Sequence, residues 1–161
     1  MAKQRPPKSK PESTLSVSGR ALRLLARRDH TRRELETKLG PYVEEAAELQ
    51  SLLDDFTARG WLSESRVVDQ VVNSKRGRMG PARIRHTLLK RGISEDLMAP
   101  ALATLKETEL DTARALRERK FGAPAATLAD QSRQVRFLQA RGFSLGVAMR
   151  VVRTRSNPAD D

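Results

Sequence analysis

An all-α fold, an elongated array of three tandem three-helix repeats, is what this sequence predicts, and three observations carry that prediction. Apolar residues recur at steps of three and four from residue 17 to residue 153, with no alternating pattern of the kind a strand needs. The punctuation Arg-Gly, bulky apolar residue, serine appears at Arg59-Gly60, Arg91-Gly92 and Arg141-Gly142. An offset of 50 residues aligns Arg83, Leu88, Arg91, Gly92 and Ser94 with Arg133, Leu138, Arg141, Gly142 and Ser144. Units of roughly 45 residues, each too small for a full core, bury their apolar seams by stacking on neighbours.

Each element has its origin in local chemistry. Residues 1 to 16 hold three prolines, four bases and a single large apolar residue, the composition of a disordered basic arm. Val17, Ala21 and Leu24, with Leu22 and Leu25 widening the stripe, predict a helix over about 18–28. Thr31 and Glu34 form a capping-box pattern, and Leu35 and Leu39 face one way before Gly40-Pro41 stops the second helix. Val43, Ala46, Leu49, Leu53 and Phe56 give the third, closing the first repeat, 17–62.

In the second repeat, 63–108, Ser63 caps a helix carrying Val67, Val68, Val71 and Val72. Pro81 suits the first turn of a helix with Ile84, Leu88 and Leu89. Ser94 caps the next, whose Pro100 should kink it or delay its regular start. In the third, 109–153, Ala113 and Leu116 mark one helix, Val135 and Leu138 a second, and Val147, Val151 and Val152 a third. Residues 154–161 read as a frayed tail. In this reading the three Arg-Gly pairs are helix punctuation: glycine takes positive φ, arginine faces the negative helix end, and serine caps the next helix.

Charge bounds the function. The net charge is +11, which favours a polyanionic partner, and its sign changes in blocks. Residues 1–33 carry ten bases against Glu12 and Asp29, and residues 34–69 reverse this with nine acids against three bases. From Gln70 to Ser94 there are seven bases (Lys75, Arg76, Arg78, Arg83, Arg85, Lys90 and Arg91) and no acid. A solvated helix face interleaves signs, because like charges at i,i+4 cost a few tenths of a kcal/mol per pair; this run points instead to contact with phosphate or an acidic surface. Arg133, Arg136 and Arg141 form a second basic candidate. The Gly77-x-x-Gly80 turn, feeding N–H groups at the start of the 81–91 helix, is a candidate anion site.

Enzymatic chemistry finds little material. There is no cysteine, His30 and His86 stand apart from any triad or metal-ligand spacing and read as partly exposed helix residues, and no phosphate-binding or dinucleotide glycine pattern occurs. The expectation is no enzyme, no cofactor and no metal. Tyr42, Trp61 and the four phenylalanines sit mostly at core-like spacings, so stacking platforms for bases are not expected. No apolar run reaches membrane length, and the default is a cytoplasmic monomer with no membrane contact.

Taken in order, residues 21–39, "RGWL" at 59–62, "GPARIRHTLLKRGIS" at 80–94 and "RFLQARGFS" at 136–144 resemble the RecX family of bacterial RecA regulators, over about residues 17–153. The resemblance implies a non-catalytic protein that binds the RecA filament on single-stranded DNA, lies in its groove and suppresses its ATPase, coprotease and strand-exchange activities. Single-stranded DNA would be met directly or through RecA. The competing expectation is a direct DNA binder of helix-turn-helix type acting as a transcriptional regulator.

Overall fold

The computed structural model describes residues 15–153, so the expected arm and tail lie outside the described residues except for Leu15 and Ser16. Nine α-helices and no strand occur among them. They are α1 (Val17–Leu25), α2 (Arg32–Leu39), α3 (Ala46–Ala58), α4 (Glu64–Lys75), α5 (Pro81–Lys90), α6 (Glu95–Glu107), α7 (Glu109–Phe121), α8 (Leu128–Ala140) and α9 (Leu145–Arg153), with a 3₁₀ turn at Gly40–Tyr42. The caps are those the sequence offers. Hydroxyls of Ser16, Ser63, Ser94 and Thr127 each accept from a backbone N–H three residues on, and Thr31 with Glu34 makes a full capping box.

Three separate apolar clusters succeed one another along the chain. One gathers Ala21, Leu35, Leu39, Leu49, Leu53, Phe56 and Leu62 from α1–α3. Another takes Val67, Val68, Val71, Val72, Ile84, Leu88, Ile93, Met98 and Leu105 from α4–α6. The last holds Ala113, Leu116, Leu138, Phe143, Ala148, Val151 and Val152 from α7–α9. The residue after each Arg-Gly packs back into a core only at Ile93 and Phe143; Trp61 stays 43% exposed, edge-on to Phe56, and Leu62 is buried in its place.

Several local expectations need correction. Helix α1 stops at Leu25 rather than 28, with Ala26 as its C-cap, and the Arg28 side chain past its end donates to Glu34. Leu22 points outward. His30 lies before α2 rather than in a helix and is only 3% exposed, with Nδ1 at 2.9 Å from the Arg28 carbonyl. Pro100 is tolerated inside α6, which runs unbroken from Glu95 to Glu107.

One buried group has no apolar signature. Arg117 on α7 is 4% exposed, and among the described residues its Nε and Nη1 lack hydrogen-bond partners and its ion-pair partner, Glu118, is 3.7 Å away. A buried cation this poorly compensated opposes folding. Arg117→Met, which keeps the volume, is therefore expected to leave urea stability unchanged or raise it by about 1 kcal/mol.

Candidate functional site

The middle helices of the three units meet end to end, in the spatial order α8, α5, α2. The N–H of Gly80 donates to the carbonyl of Arg141 at 2.8 Å and that of Ala82 to Gly142 at 3.2 Å, so the start of α5 is seated on the end of α8. At the next junction the Thr31 hydroxyl, which caps α2, donates to the carbonyl of Arg91 at 2.7 Å. In both places the positive end of one helix dipole faces the negative end of another. Packing repeats as well: a Cβ on Gly142 would lie 2.4 Å from Cβ of Arg83, and one on Gly92 would lie 2.7 Å from Cδ of Arg33. Gly60, by contrast, has open space around it.

This arrangement disposes of the candidate anion site at Gly77-x-x-Gly80. Its N–H groups are consumed by α8, a Cβ on Gly80 would sit 2.4 Å from the Gly142 carbonyl oxygen, and Arg119 from the third unit holds the Gly77 carbonyl at 2.6 Å. The helix start is a joint, with no room for a phosphate.

The basic residues divide into two groups. Arg91 belongs to the joint: Nε and Nη2 grip the two oxygens of Glu34 at 3.0 Å each, and Nη2 also donates to the Asp29 carbonyl. Arg28 holds the same carboxylate from the other side at 3.1 Å, and the Thr31 N–H adds a bond at 2.9 Å. Arg85 pairs with Glu95, and Arg78 donates to the Ser74 carbonyl. Arg133 pairs with Asp130 at 3.2 Å and lies 5.6 Å over the Phe121 ring. Arg141 rests 5.2 Å over Phe137 and, unlike Arg91, meets no carboxylate among the described residues; Ile84 stands where Glu34 stands one repeat earlier.

Lys75, Arg76, Arg83, Lys90 and Arg136 form the other group, with no acceptor for their charged heads among the described residues. All but the half-buried Lys75 are exposed. Arg83, His86 and Lys90 succeed one another at steps of three and four and so share one face of α5. Arg33 of α2 is equally exposed and uncommitted, and the 50-residue offset that aligns Arg83 with Arg133 reaches it too. A row of uncompensated cations along abutting helices suits a long acidic surface better than one compact ligand.

The Glu34 knot should respond to acid. Burial alone would raise its carboxyl, but the hydrogen bonds from Arg91, Arg28 and the Thr31 backbone outweigh burial and lower it to about 2. His30 beside it is held below its usual value by burial. A depressed carboxylate contributes stability above its unfolded value and loses it on descent toward the folded one; a depressed histidine resists the proton that the unfolded chain accepts below about 6.5. Both losses run in the same direction. Urea midpoints are expected to fall as pH drops from 7 to 3, and Glu34→Gln should flatten the part below about pH 4.5.

The order of these units can be set beside known proteins. Models of the first, second and third three-helix domains of RecX match residues 19–41, 63–102 and 107–152. The chain belongs to the RecX family. A regulatory protein RecX from Leptothrix cholodnii is 47% identical over 146 residues, spanning 91% of this chain and 93% of that protein. One from Ralstonia nicotianae is 38% identical over 94% of this chain and 95% of its own length. Among solved structures, a RecX from Lactobacillus salivarius superposes with a TM-score of 0.73 at 17% identity, over 84% of this chain and 92% of that one. A second crystal structure of regulatory protein RecX gives 0.70 at 20% identity, covering 84% and 70%. These structural likenesses speak for the all-α RecX fold. Within it, no described helix is long and apolar enough to cross a membrane, and no three His, Asp or Glu residues of the described chain converge on a metal position.

Sequence reasoning missed Tyr42 and Trp61 as surface groups: Tyr42 is 54% exposed, with Arg20 over its ring at 4.0 Å, and Arg59 lies 5.0 Å over Trp61. The excess of bases before residue 34 was a signal, but it reads more readily as a property of the arm than of α1.

Proposed function

We propose that this chain is a non-enzymatic, cytoplasmic regulator of RecA recombinase that docks as a monomer along the RecA filament on single-stranded DNA and restrains its ATPase, coprotease and strand-exchange activities. Family membership supports a regulatory role. The observation that carries the docking reading is the set of uncommitted cations Arg83, Lys90 and Arg136 on helices that abut end to end, with Lys75 and Arg76 beside them at the end of α4. Contacts that are individually weak gain from being made in series on a polymer.

A helix-turn-helix regulator is the less favoured reading. Such proteins read bases with the first residues of the helix after the turn. In two of the three units the corresponding helix has the wrong sign for a phosphate-lined groove, since α3 opens after Glu44 and Glu45 with Glu48 in its first turn and α6 opens on Glu95 and Asp96; only α9 has no acid in its first turn.

The test is RecA-catalysed ATP hydrolysis on poly(dT) with increasing amounts of the purified chain, beside co-sedimentation with filaments formed with and without DNA. Falling hydrolysis with retention on filaments is expected. Unchanged hydrolysis, with sequence-selective binding to duplex, would overturn the proposal in favour of the transcriptional reading.

A further inference from the structure

Away from the α8–α5–α2 row, the first unit carries a second concentration of positive charge built around an exposed ring. Arg20, Arg23 and Arg27 come at steps of three and four along α1 and just past its end, so they share a face. With Lys38 from the end of α2 and the apolar Leu15, Leu24 and Leu39, they line an open cleft of about 220 Å³ beside Tyr42. Among the described residues no carboxylate lines it. Arg23, Arg27 and Lys38 have no acceptor for their side chains among the described residues, and the Arg20 guanidinium stacks on the Tyr42 ring.

Folding gives little reason for this assembly. Like charges at three- and four-residue steps oppose helix formation, and a ring more than half exposed adds little to the core. The ligand has to explain three things together: several cations, an accessible aromatic group and an apolar floor in an open-ended cleft. A small inorganic anion uses only the cations. Duplex DNA presents phosphates but hides its base faces. Single-stranded nucleic acid offers phosphates for arginine and lysine and an unstacked base for an aromatic or guanidinium plane.

We infer that the α1 cleft binds a nucleotide of single-stranded nucleic acid, its phosphates on Arg23, Arg27 and Lys38 and its base against Tyr42 and the Arg20 guanidinium. The site is separate from the cations assigned to filament docking and stands or falls without RecA.

Fluorescence anisotropy of a labelled dT12 strand with the full-length chain tests it. Affinity should fall with salt at a log-log slope of about −2, since three cations release counterions at about 0.7 each on a single strand. Arg23→Glu with Arg27→Glu should weaken binding more than tenfold. Tyr42→Ala should weaken it about 5- to 150-fold, the range for losing one stacked base, while Tyr42→Phe stays near wild type. These side chains are exposed or nearly so, and far-UV circular dichroism should be unchanged. On a 20-base-pair duplex Tyr42→Ala should have no effect. Equal dT12 affinity for Tyr42→Ala and wild type, or an equal loss on duplex, overturns the proposal. Because RecA is absent from the assay, either result leaves the regulatory proposal untouched.

Discussion

Gly142→Ala is expected to destabilise the chain by about 3 kcal/mol, whereas Gly60→Ala, in the same Arg-Gly context, should cost about 1 kcal/mol. Both glycines have positive φ, 88° and 72°, so any L side chain at either position meets a strain of roughly 1–2 kcal/mol. The difference lies in what surrounds them. Nothing lies within 4 Å of a Cβ placed on Gly60, while one on Gly142 would lie 2.4 Å from the Arg83 Cβ and 2.5 Å from its backbone nitrogen. Backbone cannot step aside as a flexible side chain can, so Gly142→Ala adds an overpacking penalty of about 1–3 kcal/mol and pushes α5 off α8. Urea denaturation of the two variants measures the contrast. Gly92→Ala should fall between them, since its neighbour is the movable Arg33 side chain at 2.7 Å.

Reversal of charge separates cations that hold the fold from those assigned to binding. The triple variant Arg83→Glu, Lys90→Glu and Arg136→Glu removes no ion pair among the described residues, so its thermal midpoint should stay within a few degrees of wild type. Each reversal replaces an attraction by a repulsion worth about 1 kcal/mol at an acidic partner. Three together, about 3 kcal/mol, should raise the concentration needed for half-maximal inhibition of RecA ATP hydrolysis roughly a hundredfold. Full inhibition by the triple variant at wild-type concentrations would remove these residues from the docking surface. Arg91→Glu behaves otherwise: it sets a carboxylate against Glu34 inside the joint, and is expected to lose about 3 kcal/mol of stability before any effect on binding can be read.

Much of the architecture was legible because its signals are local. Thr31 with Glu34, Ser63, Pro81, Ser94 and the glycines placed after arginine mark helix ends through bonds made within a few residues, and the valines of α4 mark a buried face by spacing alone. The candidate site was legible only as a run of like charge. Nothing within residues 70–94 distinguishes Arg91 from Lys90, because the acceptor that claims Arg91 is Glu34, 57 residues earlier. Likewise, a glycine pair that reads as an open anion turn becomes a sealed joint once α8 supplies the carbonyls of Arg141 and Gly142.

Periodicity, caps and composition act over a few residues and need no partner to be read, and they suffice for an all-α array with a repeated middle helix and charge sorted into blocks. That Arg-Gly at 91–92 and 141–142 forms joints between units, while at 59–60 it only ends a helix, follows from how the units pack. Packing also decided which arginines stay available to a partner, and that Tyr42 stands at the surface among cations rather than in a core. Those outcomes depend on groups tens of residues apart meeting at hydrogen-bond distance, and no local spacing encodes which distant carboxylate, carbonyl or ring will arrive.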